Sequence, residues 1–283
     1  MSRPLHIFSK REAYFLIASA MFLGLSISLV FQGIISGLED TILLDRLIII
    51  LSELAILIPP LLILRQRGIS VLDILPLKPV SPLTFLMAII IVSGAIGLVT
   101  VYEVIMLPYF PIPEFLKNLE TELSQGGIFD ILLLILAGSL VAPIVEEFLF
   151  RGILQQSLYY RYGSLLPALV VPTVIFALFH VAYLFYLPAF FELISLAFLL
   201  GWLMAKTGNI IIPILVHGLF NLSSFTSLFI FELEETSTLS DLGLPWIIVS
   251  TLLMMVGWIY FKFMPLSVVD DVYLIPPLEK REA

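Results

Sequence analysis

The 283-residue chain is 60% hydrophobic and only 13% charged, whereas a soluble domain carries about 25% charged residues. So little charge cannot cover a water-facing surface, so lipid is the main solvent, with room for roughly eight crossings at about 20 residues each. The absence of cysteine removes disulfides, thiolate nucleophiles and cysteine metal sites, and a net charge of −8 without a basic cluster argues against a nucleic-acid partner.

Eight apolar runs follow in chain order, at 14–36, 46–64, 83–107, 129–160, 165–183, 185–205, 210–231 and 244–263. The first follows Lys10-Arg11 and exceeds the roughly 7–15 residues of a cleavable signal core, so a retained helix is expected. Segment 72–82 reads as a proline-interrupted loop and 112–124 as a short interfacial helix. The boundary between the fifth and sixth runs is the weakest, because no charge separates Val181 from Phe190, and a re-entrant hairpin is the alternative there.

Lys and Arg accumulate on the cytoplasmic side of a membrane. With eight spans, Arg3, Lys10, Arg11, Arg65, Arg67, Lys78, Arg161, Lys206, Lys262, Lys280 and Arg281 share one side. The other side holds Lys117 with Glu39, Asp40, Asp45, Glu114, Glu120, Glu122, Asp130, Glu232, Glu234, Glu235 and Asp241. The expectation is an all-α integral membrane protein: a bundle of about eight transmembrane helices, both termini cytoplasmic, forming one polytopic domain over 1–283.

A charge inside a span costs roughly 2.5–3.5 kcal/mol on insertion scales, so each needs a reason. The fourth run carries Pro143-Ile144-Val145-Glu146-Glu147-Phe148-Leu149-Phe150-Arg151-Gly152. Residues four apart share a helix face, while neighbours diverge by about 100°. Glu147 should therefore stack over Arg151, leaving Glu146 for another partner. The fifth run adds Phe176 and His180, the seventh His217 and Asn221, each pair at i,i+4. Counted from the positive ends of their spans, Glu146, His180, Asn221 and His217 lie at depths of roughly 21, 24, 18 and 12 Å. They can meet. A structural ion-pair network is the competing reading of the same charges.

These groups suit hydrolysis by an activated water. A carboxylate and an imidazole can take the proton of a water as it attacks a carbonyl, and side-chain N–H groups can hold the oxyanion. Neither the HExxH zinc helix nor the GxSxG serine elbow is present. Glu146, His180 and His217 would be the ligands if a divalent metal such as zinc were bound. Their dispersal over three helices with an asparagine suits direct water activation, so no cofactor is expected to be required.

The same residues resemble the motifs of the CAAX prenyl endopeptidase and bacteriocin-processing family of intramembrane proteases, also called CPBP, type II CAAX or ABI proteins. Its EExxxR motif is matched by Glu146, Glu147 and Arg151, FxxxH by Phe176 and His180, and HxxxN by His217 and Asn221. Gly201-Trp202-Leu203-Met204-Ala205-Lys206-Thr207-Gly208-Asn209 resembles the turn into the last motif helix, and the likeness spans 137–225. The resemblance implies an eight-helix bundle with a catalytic chamber open to the cytoplasm. It assigns Glu146 and His180 to water activation, His217 and Asn221 to the oxyanion, and Glu147, Arg151 and Phe176 to support of the site. It further implies membrane lipid and a membrane-anchored or prenylated peptide or protein substrate as partners. A non-proteolytic scaffold or bacteriocin-immunity protein is the alternative, and a transporter ranks last because paired, interrupted repeats are lacking. A prokaryotic plasma membrane is expected ahead of an endomembrane. Glu53, Glu103 and Glu192 receive no function from the sequence; packing hydrogen bonds or neutral acids would account for them.

Overall fold

The computed structural model describes residues 8–38, 41–162, 164–230 and 238–267. Arg3, Glu39, Asp40, Glu232, Glu234, Glu235, Lys280 and Arg281, used in the charge argument, lie outside the described residues. Among the described residues the helices are, in chain order, α1 (Lys10–Ile35), α2 (Ile42–Ile56), α3 (Ile58–Gln66), α4 (Pro82–Met106), α5 (Glu114–Leu123), α6 (Ile128–Tyr160), α7 (Leu165–Phe179), α8 (Leu187–Thr207), α9 (Ile211–Ile230) and α10 (Leu244–Phe263), with short turns at Val71–Ile74 and Leu239–Leu242. An isolated bridge pairs Leu77 with Asn209.

All eight apolar runs form helix. Among the described residues six candidate spans are long and apolar enough to cross a membrane: α1, α2 continued by α3, α4, α6, α8 and α10. The eight-crossing count thus depends on α7 and on α9, of which Ile211–Ser227 is counted among the shorter apolar helices. At 15 residues, α7 is about 22 Å long, less than the roughly 30 Å of a hydrocarbon core. Exposed Phe15, Phe22 and Leu25 on α1, and Trp258, Ile259 and Phe263 on α10, give the bundle an apolar exterior, as a lipid solvent requires.

Local chemistry sets the ends. Ser9 and Glu12 form a reciprocal capping box at the start of α1. Ser81 caps α4, and Pro82 occupies its first turn, where an N–H would go unused. Gly208 closes α8 in the left-handed conformation at φ 62°, which a side chain would resist. The interfacial helix expected over 112–124 is α5. Its C-terminal carbonyls are gathered by Arg46, whose Nη2 donates to the backbone oxygens of Glu122, Leu123 and Gln125.

Two apolar clusters fill the bundle. One joins Leu16 and Ile17 of α1, Leu64 of α3, Leu149 and Ile153 of α6 and Phe176 of α7. The other joins Ile91 of α4, Leu200 and Leu203 of α8, Val216 of α9 and Phe261 of α10. At the end of the bundle carrying Lys78 and Lys206, backbone bonds cross between elements. Lys78 N donates to Gly208 O, Ile210 N to Pro76 O and Ser267 N to Ala205 O. Asn209 Nδ2 donates to Lys78 O, and Lys206 Nζ donates to the carbonyls of Lys262 and Met264 at the end of α10.

Two elements differ from the reading of the sequence. The fifth run stops being α-helical at Phe179, and Val181–Phe185 forms a 3-10 turn, so His180 sits at a helix end with φ −88° and ψ 62°. The fourth run is an α-helix interrupted twice by π geometry, over Ala137–Val141 and Phe148–Gln155.

Candidate active site

Pro143 explains the first interruption. It has no N–H to donate, and its ring clashes with the carbonyl four residues back in an α-helix. Widening the preceding turn relieves the clash, and Ala142 N–H reaches back five residues to Ala137 O. Glu146 and Glu147 stand on the short α-helical stretch Ala142–Glu147 between the two π segments. Such π turns recur at functional sites, where they re-aim side chains.

Glu147 is fully buried and holds two partners on one oxygen. Its Oε1 accepts from Arg151 Nη1 at 2.5 Å and lies 2.9 Å from His217 Nδ1. Arg151 is itself 1% exposed; its Nη2 donates to Ala197 O on α8, and its guanidinium lies 5.2 Å from the centre of the Phe176 ring. The stacking of Glu147 on Arg151 expected from i,i+4 spacing is therefore present, and Glu147 also reaches a second helix. Because Oε1 of a carboxylate accepts, His217 Nδ1 carries the hydrogen, and in the neutral ring Nε2 keeps its lone pair. That Nε2 is 3.6 Å from Glu146 Oε2. The free glutamate of the sequence reading thus finds His217 as its neighbour.

His180 is held differently. Its Nδ1 lies 2.9 Å from Phe176 O, and since a carbonyl only accepts, Nδ1 carries the hydrogen and Nε2 keeps its lone pair in the neutral ring. The Phe176 ring packs against both histidines, 4.6 Å from His180 and 5.8 Å from His217 between centroids. Asn221, on α9 with His217, donates from Nδ2 to Gly138 O in the first π segment at 2.8 Å. The structure therefore joins Glu146, Glu147, Arg151 and His217 by direct polar proximity, brings His180 in through Phe176, and ties Asn221 to the backbone of α6.

Glu53 on α2 is a residue the sequence left without a role. Its Oε2 is enclosed without a hydrogen-bond partner, and its carboxylate lies near enough to Glu146 for the two charges to act on each other. Its only signal in the sequence is an acid inside an apolar run. Glu103 and Glu192 interact with each other in the same way, on α4 and α8. As for metal, among the described residues no three His, Asp or Glu side chains gather as a ligand set.

Residues 128–223 match the family described as type II CAAX prenyl endopeptidase, Rce1-like. The matched segment runs from the first turn of α6 into α9 and contains Glu146, Glu147, Arg151, Phe176, His180, His217 and Asn221. The description of the matched family names an endopeptidase. No curated protein and no solved structure matches the chain.

Proposed function

We propose that the chain is an intramembrane endopeptidase that hydrolyses a peptide bond of a membrane-anchored or prenylated substrate with a water activated by Glu146. The observation carrying this reading is the pair Glu146 Oε2 and His217 Nε2, 3.6 Å apart in a buried site, with His217 clamped from behind by Glu147. At that spacing a water whose proton Glu146 accepts stands next to a carbonyl oxygen that a His217 Nε2–H can hold.

In this mechanism Glu146 takes one proton from the water, with His180 Nε2 as the second acceptor. The water oxygen bonds to the carbonyl carbon. Negative charge moves to the carbonyl oxygen, where the second amide hydrogen of Asn221 and a protonated His217 Nε2–H donate to it. The C–N bond then breaks as Glu146 returns its proton to the leaving amine nitrogen, giving a carboxylate and a free amine. Glu147 and Arg151 keep His217 oriented and touch no substrate. The chemistry needs no resident cofactor. The eight apolar helices all cross in this reading, with both termini cytoplasmic and the chamber facing that side.

The test is incubation of purified protein with a library of membrane-anchored and lipidated peptides, with products read by mass spectrometry. Cleavage at one bond near the anchored end, absent with Glu146→Gln, supports the reading. Absence of any product across the library, with folded protein, overturns it.

A further inference from the structure

Gly138 O occupies an awkward place in α6. In α geometry it would accept from residue 142, and in π geometry from residue 143. The Ala142 N–H is turned to Ala137 O, and Pro143 has none to give. A carbonyl in this position costs free energy unless another donor is found, and Asn221 Nδ2 supplies it at 2.8 Å.

The packing around this bond is close. A Cβ on Gly218 would lie 2.6 Å from Ser139 O, and one on Gly138 would lie 2.0 Å from the Phe225 ring. Gly218, Asn221 and Phe225 follow one stripe of α9, and all three meet the first π segment of α6. His217 stands beside Gly218 on the same helix. The seat of α9 on the π turn therefore fixes where His217 lies relative to Glu146 and Glu147.

We infer that Asn221 is a positioning residue, which supplies to Gly138 O the hydrogen bond that Pro143 withholds and so holds the π turn that aims Glu146 towards His217. Its other amide hydrogen remains for the oxyanion, so the kinetic part of this inference rests on the peptidase reading, whereas the structural part does not.

Pro143→Ala restores an N–H at the position from which Gly138 O or Ser139 O can accept. The experiment compares wild type, Asn221→Ala, Pro143→Ala and the double variant in detergent, by melting temperature and by kcat and KM on a farnesylated tail peptide. Asn221→Ala should lower the melting temperature and reduce kcat about 10²-fold, the scale of a small misplacement of reacting groups. In the Pro143→Ala background the same change should cost less in both, with kcat partly recovered and KM little altered. Asn221→Leu keeps the bulk but has no donor, and should behave as Asn221→Ala, which separates the lost bond from a void. Equal losses in both backgrounds, or an Asn221→Leu as stable as wild type, overturn the inference. If wild type cleaves nothing, the peptidase reading fails while the melting-temperature comparison still decides the cap.

Discussion

Replacing Glu147 by glutamine removes one charge and leaves size and hydrogen-bonding shape. The carboxylate is 0% exposed and Arg151 1% exposed, with 2.5 Å between them. At that distance the attraction is about 7 kcal/mol for an effective dielectric constant near 20. Part of it is spent on keeping two charges out of water, and breaking such a pair from one side costs about 3–5 kcal/mol. Thermal unfolding in detergent should therefore show Glu147→Gln melting roughly 10 °C lower than wild type. Adding Arg151→Met removes the stranded charge and should restore much of the loss, because no uncompensated charge is then buried. Glu146→Gln should behave in the opposite way. Among the described residues Glu146 makes no direct ion pair with Arg or Lys; it sits 3.6 Å from His217 and near the carboxyl of Glu53. Its removal should leave melting temperature unchanged or higher while cleavage falls about 10²–10⁴-fold. A Glu147→Gln variant that is as stable as wild type but inactive, or a Glu146→Gln variant that cleaves normally, refutes this division of roles.

Extensive chelation should leave cleavage unchanged, with no stoichiometric zinc in active protein by metal analysis; loss reversed by one added metal would make Glu146, His180 and His217 ligands. Reporters fused after Lys78 and after Lys206 should read cytoplasmic and one inserted near Glu234 external, while a cytoplasmic reading at Glu234 sinks the eight-crossing arrangement. Burial holds the Glu120 carboxyl on α5 above its ordinary value despite Lys117 nearby. A raised carboxyl destabilises the folded state above its folded value and not below its unfolded one. Glu120→Gln should thus raise the melting temperature at neutral pH, and the gain should vanish below pH 4.5, the ordinary value; a gain independent of pH refutes the assignment to charge.

Hydropathy alone located the long apolar helices, because a lipid solvent demands long apolar runs and leaves charges at their ends. The contact of Glu147 with Arg151 was also legible, since four-residue spacing survives the change from α to π at Phe148. The π turn itself was not. Pro143 announced a break in the ladder, but whether the chain kinks, ends or widens is decided by α9 packing on Gly138 and Ser139. The end of α7 at Phe179 was hidden for a related reason: Val181 to Tyr186 are apolar enough to continue a span, and no glycine or charge marks the stop. Glu53 could not be placed beside Glu146 because its partner lies on a helix far along the chain, and hydropathy carries no information about which spans are neighbours.

The crossing bonds among Lys78, Ala205, Gly208, Ile210 and Ser267, with Lys206 reaching the end of α10, have a mechanical consequence. They fasten the loop before α4, the turn between α8 and α9 and the chain leaving α10 at one end, so those four helices share a common base. Tilting any of them alone would shear several backbone hydrogen bonds together, each worth about 0.5–1.5 kcal/mol net. In the proposed peptidase, widening of a cytoplasmic opening would therefore fall to α1, α2 and α3, with His217 and Asn221, rooted in the fastened group, as the stationary side of the site.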